Sequence, residues 1–144
     1  MSYNYHLKEK EDWQAFIEPD YAVSKQGEIF SEILSRYIDE MRELRNIRQK
    51  DISDATRIES SLITKYMHGR QKPTLYAVIL LSLAMKLTPE RSTHLLRAAG
   101  FALNDSKEYR IYKMFLQGCA FGEEYSIENC NELLLHNGFM KLSI

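Results

Sequence analysis

Apolar residues from Glu28 to about Arg48 fall at Ile29, Phe30, Ile33, Leu34, Tyr37, Ile38, Met41 and Leu44. Steps of three and four put them on one face of a long amphipathic helix. The pattern then shortens. From Gln49 to about Thr56 the inward positions are Ile52 and Ala55. From Glu59-Ser60 to about His68 they are Leu62, Ile63 and Tyr66 or Met67. Two short helices are predicted, with Arg57-Ile58 as the turn and Glu59 or Ser60 as the second N-cap. Helices of under three turns are unstable alone, so both must pack on their neighbours. The second helix leaves a polar face of Ser60, Ser61, Thr64, Lys65 and His68.

Pro73 and Thr74 open a fourth predicted helix, LYAVILLSLAMKL, apolar around most of its circumference. Such a helix is buried on two sides. One side is expected to hold the short helices, and the other the C-terminal part or a second subunit. Beyond it, LTPERSTHLLRAAGFAL (87–103) and YSIENCNELLLHNGFMK (125–141) align at an offset of 38. Thr88 and Ser126 sit at N-cap positions, and Pro89 suits the first helical turn. Gly100 and Gly138, each followed by Phe, sit where a left-handed C-terminal residue belongs. Between these units Ser106 to Gln117 reads as a helix, with Tyr109, Tyr112, Phe115 and Leu116 inward and Gly118 as its stop. Two matched units fall short of a solenoid. The first 28 residues are acidic and aromatic (Tyr3, Tyr5, Trp13, Phe16, Tyr21), with a break at Glu18-Pro19-Asp20. They are expected to pack on the core, the alternative being an embrace of a partner subunit. The fold class expected is all-α.

Composition agrees with a globular chain. Its 144 residues are 44% hydrophobic and 27% charged, with only 6 Gly and 3 Pro to signal turns. The net charge of −1 is low for a nucleic-acid binder, but its distribution is uneven. Residues 42–72 hold 8 Lys+Arg against 4 Asp+Glu, whereas residues 1–41 hold 4 against 9. Positive charge therefore gathers on the two short helices and their flanks. The polar N-terminus resembles no signal peptide, and Leu75 to Ala84 is too short to span a bilayer. A cytoplasmic location and no membrane partner are expected. Cys119 and Cys130 are too few for a disulfide framework and read as reduced thiols.

Catalytic chemistry has little support. His6, His68, His94 and His136 lie in separate elements without metal-ligand spacing, and no Gly-rich phosphate loop is present. A nucleophile–base pair from Cys119 or Cys130 with His136 is outweighed by the tendency of Cys to be buried. Glu123-Glu124 and Asp39-Glu40 read as solvated surface. No enzyme activity, cofactor or metal is expected.

Gln49, Ile52, Ile58, Ile63, Gly69, Arg70, Pro73, Thr74, Leu75, Leu80, Leu83 and Ala84 together carry a specific spacing. Over roughly residues 40–87 it resembles the XRE-type, or Cro/repressor-like, helix-turn-helix DNA-binding family. Ser53 stands where the family has Ala. Arg57 stands at the turn position where the family has Gly, often at positive φ; a non-Gly residue there costs about 1–2 kcal/mol. The resemblance implies a lambda-repressor-like helix-turn-helix bundle, here with a preceding long helix and a C-terminal helical extension. With the patterns on either side, the expected division is an N-terminal arm (1–28), a DNA-binding domain (29–87) and a C-terminal helical extension for dimerisation or regulation (88–144). The resemblance also implies base contacts from Ser60, Ser61 and Lys65, with Thr64 alongside.

Gln49 at a helix N-terminus, His68, Arg70 and Lys72 are the expected phosphate contacts. The expected function is sequence-specific binding of double-stranded DNA by a homodimeric transcriptional regulator, a repressor by expectation. The fourth helix and the C-terminal units are the candidate pairing surface. The alternative is a protein-interaction module of the same shape, an antitoxin or adaptor, with a protein partner on the C-terminal helices.

Overall fold

Asn46 ends the first helix by taking a left-handed conformation, φ 55°. The computed structural model describes residues 26–144, with side chains from Phe30 onward. The aromatic N-terminal positions Tyr3 to Tyr21 lie outside the described residues. The described chain forms α1 (Gln26–Arg45), α2 (Gln49–Thr56), α3 (Ser60–Met67), α4 (Leu75–Ala84), α5 (Pro89–Ala98), α6 (Lys107–Gly118) and α7 (Ile127–His136). No strand occurs among these residues, so the fold is all-α. No helix among them is long and apolar enough to cross a membrane.

α1 buries Phe30, Ile33, Leu34, Tyr37, Ile38 and Met41 along the expected face. Leu44 departs from that face and is 73% exposed. The helix stops at Arg45 rather than Arg48, because after Asn46 the Ile47 N–H turns back to the Met41 carbonyl at 3.1 Å. α1 packs on α3 and on α5. At the α5 contact, Arg91 Nη2 lies 3.2 Å from Glu40 Oε1, and the guanidinium sits 5.7 Å from the Tyr37 ring centroid. The Tyr37 hydroxyl is 3.2 Å from His94 Nδ1.

α4 is the axis of the bundle. Every residue from Ala77 to Leu83 is buried, and α4 touches α2, α5, α6 and α7. Both of its sides are therefore covered by this chain itself. The expectation that α4 offers a pairing surface is corrected: its apolar circumference is used up internally. Ser82, fully buried there, is satisfied by donating to the Val78 carbonyl at 2.8 Å. α4 closes on Lys86 at φ 53°, with the Leu87 N–H on the Ser82 carbonyl at 3.1 Å.

α5 and α7 share one design. Thr88 and Ser126 accept from the backbone N–H of Arg91 and Asn129. Gly100 (φ 85°) and Gly138 (φ 83°) end them left-handed. The Phe101 and Phe139 N–H groups reach back to the Leu96 and Leu134 carbonyls, each at 2.9 Å, which is the paired closure of a Schellman turn. Gly118 is the last residue of α6, the expected stop, but it does not take a left-handed φ; a Cβ there would run into the Tyr125 ring. That ring packs edge-on against Phe115 at 5.6 Å. One hydrophobic cluster runs from Phe30 to Leu142, so the C-terminal helices and the short helices share a core.

Candidate nucleic-acid interface

α2 and α3 are too short to stand alone, and the structure shows what holds them. Ile52, Ile63 and Tyr66 are buried, and Tyr66 meets Phe30 edge-to-face at 6.5 Å. Desolvation raises the Tyr66 hydroxyl pKa above its ordinary value. Ser35 Oγ donates to the Met67 carbonyl at 3.2 Å and ties the end of α3 to α1. In α2 the second inward residue is Thr56, not Ala55, which is exposed. The shift of one position has a chemical reason in the turn that follows.

Arg57 takes φ 61° and ψ 22°, the left-handed region, and donates its N–H to the Ser53 carbonyl at 2.8 Å. Ile58 then enters the core with no exposed surface. Both of its backbone polar groups find side-chain partners on α2. Its N–H donates to Thr56 Oγ1 at 3.1 Å, and its carbonyl accepts from Ser53 Oγ at 2.6 Å. Thr56 Oγ1 in turn donates to the Ile52 carbonyl at 2.7 Å. Thr56 is buried because its hydroxyl closes the turn. Apolar periodicity gives Ser53 and Thr56 no role; hydroxyl residues just before a turn are the sequence signal for one.

With its apolar side fixed, α3 points Ser60, Ser61, Thr64 and Lys65 outward, and all four are exposed. At about 100° per residue they span an arc of roughly 140° on one face. His68 is exposed at the helix end. Gly69 (φ 70°) closes α3, with the Arg70 N–H on the Lys65 carbonyl at 2.9 Å. Arg70 and Lys72 follow in an exposed loop, anchored by buried Pro73 and by Thr74, which caps α4.

Gln49 is brought to this face by a route the sequence did not suggest. Its Nε2 lies 3.1 Å from the Ser60 carbonyl, 3.0 Å from Ser60 Oγ and 2.9 Å from Thr64 Oγ1. The amide thus cross-links the start of α2 to the outward face of α3. Its backbone N–H, at the first position of α2, has no acceptor within the helix and remains the group placed for an anion. The neighbouring Arg48 N–H is already taken by Asp51 Oδ2 at 2.9 Å.

Among the described residues, Lys50, Arg57, Lys65, Arg70 and Lys72 make no ion pair and are all exposed. Arg48 pairs only loosely with Asp51, at 3.8 Å. The two short helices and the loop after them therefore carry exposed cations without ion pairs around a hydroxyl-rich face, with the exposed carboxylates Asp54 and Glu59, also without ion pairs, among them. Elsewhere, Cys119 and Cys130 are buried, and desolvation pushes their thiols up to about 11 and about 12. His136 is exposed at the end of α7, whereas Cys130 has no exposed surface. No protein-family model, curated protein or solved structure matches this chain.

Proposed function

We propose that this chain binds double-stranded DNA as a helix-turn-helix regulator of the XRE type, with α3 in the major groove. The observation that carries this is the outward face of α3. Ser60, Ser61, Thr64 and Lys65 stand side by side on a helix whose other face is locked by Ile63 and Tyr66. A helix of about 10–12 Å diameter fits a major groove about 12 Å wide. The unpaired cations Lys50, Arg57, Arg70 and Lys72 supply phosphate contacts that fix register.

An eight-residue helix covers only a few base pairs. A second copy on a half-site about 34 Å away supplies the rest of a specific site. Since α4 is internal, pairing falls to the C-terminal region, where Phe121 is 76% and Met140 82% exposed. Those apolar side chains and the net charge of −1 also favour a second reading, in which the same shape binds a protein.

Selection of bound fragments from a random double-stranded DNA pool tests the proposal. Enrichment of a half-site repeated with two-fold symmetry is expected. An unenriched pool, with no shift of labelled duplex at low salt, rejects the DNA reading in favour of the protein partner.

A further inference from the structure

We infer that the cleft between α5 and α6 binds a small carboxylate with an apolar body. The inference does not depend on the DNA-binding reading, and it gives the C-terminal extension a ligand of its own.

α5 and α6 pack on each other, and the chain crosses from one to the other after Gly100. Between them lies a cleft of about 310 Å³. Ligand pockets run from about 300 to 1,000 Å³, so its occupant is small. At roughly 30 Å³ for each water-sized group, the space takes about ten non-hydrogen atoms. Its apolar walls are Leu96, Phe101, Leu103 and Leu116. Leu96 and Leu116 are buried in the main core, and Phe101 and Leu103 pack against it. The core therefore holds these walls in place.

The charged lining has one sign. Arg97 and Lys113 line the cleft, and among the described residues no carboxylate does. Arg97 is exposed and makes no ion pair among the described residues. Lys113 Nζ lies 3.0 Å from Asp105 Oδ1, on a side chain that is 84% exposed and outside the lining. Two cations against that one carboxylate leave a single positive charge, which a monoanion neutralises. The Lys113 ammonium keeps further donors, and the planar fork of Arg97 matches a carboxylate. A few polar groups over an apolar floor is the usual make-up of a small-molecule site.

The matched unit around α7 sets these positions apart. Leu96, Gly100 and Phe101 recur there as Leu134, Gly138 and Phe139, but Leu135 stands in the place of Arg97 and Met140 in that of Ala102. Ala102 also lines the cleft. At two cleft positions the α5 unit thus carries a charge in place of an apolar side chain, and a small side chain in place of a long one.

The experiment titrates the full chain, labelled with nitrogen-15, with octanoate and with phenylacetate. Saturable amide shifts at Leu96, Arg97, Leu103 and Leu116 are expected with at least one of them, with a dissociation constant of about 10 μM to 1 mM. The alcohols 1-octanol and 2-phenylethanol keep the body without the charge, and acetate keeps the charge without the body. Each is expected to bind at least about tenfold more weakly. Arg97→Gln and Ala102→Met, both at exposed positions, are each expected to weaken carboxylate binding at least about fivefold with thermal midpoints near the parent's. No saturable shift with either carboxylate up to about 10 mM overturns the inference. So do shifts centred on Phe121 and Met140, alcohols that bind as tightly as the acids, or an Arg97→Gln variant that binds as the parent does. The comparison of acids, alcohols and acetate needs no variant, so it decides the matter even if a substitution disturbs the fold. None of these results bears on selection from the DNA pool, so the two readings fail separately.

Discussion

The Ser53 hydroxyl donates to the Ile58 carbonyl at 2.6 Å, across the turn that joins α2 to α3. Ile58 is fully buried, so its carbonyl has no water to fall back on. Removing the hydroxyl leaves that acceptor unpaired, and a buried unsatisfied group costs about 1–3 kcal/mol. Ser53→Ala is therefore expected to destabilise the chain by about 1–2 kcal/mol in urea unfolding, with an unchanged denaturant slope. A variant as stable as the parent shows that the turn is held by Thr56 and Arg57 alone.

Arg57 makes a second prediction at the same turn. Its φ of 61° costs a residue with a Cβ about 1–2 kcal/mol, and glycine avoids this cost. Glycine loses more backbone entropy on folding, by about 0.5–1 kcal/mol. The balance favours glycine, so Arg57→Gly is expected to raise stability by up to about 1 kcal/mol. A thermal midpoint that falls instead contradicts this balance. Because Arg57 is also an exposed cation, the more stable variant is expected to bind duplex DNA more weakly.

These two residues mark how far the sequence can be read. The unusual backbone at position 57 was legible, because the family resemblance places a positive φ there. Gly100 and Gly138 were legible too, since a Gly-Phe pair after an amphipathic run signals a left-handed close. Asn46 and Lys86 reach the same backbone region without that signal, and so α1 and α4 end earlier than their apolar patterns suggested. The exchange of Ala55 for Thr56 in the core is a phase error of one residue. Apolar periodicity favours Ala, but a hydroxyl needed by Ile58 decided the matter. The partners of Gln49 were hidden because they lie on the next helix, and helix-to-helix geometry is not encoded in spacing along one element.

Gly118 and Gly138 are expected to fail in different ways. At Gly118 the new methyl group of an alanine meets the Tyr125 ring. At Gly138 no atom lies within 4 Å of a built Cβ, but φ is +83°. Overpacking costs about 1–3 kcal/mol, and left-handed strain about 1–2 kcal/mol. Both alanine variants are expected to lose stability in urea titration. Shortening Tyr125 to Leu is expected to rescue Gly118→Ala and to leave Gly138→Ala unimproved. Rescue of both, or of neither, sinks the distinction between packing and backbone strain.

Stability is expected to decline in alkali, with the buried thiols contributing. Desolvation lifts Cys119 from the ordinary 9.0 to about 11, and Cys130 to about 12. The unfolded chain releases these protons first, so above about pH 9 it binds fewer protons than the folded chain, and stability falls as pH rises. The thiol contribution is complete below pH 9 and is lost as pH rises through the folded values. Cys119→Ala and Cys130→Ala start from lower stability but should decline less steeply between pH 9 and 11. Parallel curves for parent and variants in thermal melts across this window rule the thiols out as a source of the slope.

Arg70 and Lys72 are expected to separate affinity from sequence choice. Both stand exposed and without an ion pair in the loop that Gly69 and Pro73 hold in place. A cation on a phosphate releases condensed counterions, so each contact contributes about 0.9 to the slope of log affinity against log salt. Arg70→Ala and Lys72→Ala should each make that slope shallower by about 0.9 and weaken binding equally on all duplexes. Lys65 lies on the face assigned to the bases. Lys65→Ala is therefore expected to reduce the preference for the selected site over unrelated duplex by about 1–3 kcal/mol, with the smaller change in salt slope. Titrations by fluorescence anisotropy from about 50 to 200 mM salt resolve the two behaviours. If Arg70 and Lys72 change site preference and Lys65 changes only the slope, the roles of the loop and of α3 are reversed, and the helix that enters the groove is not α3.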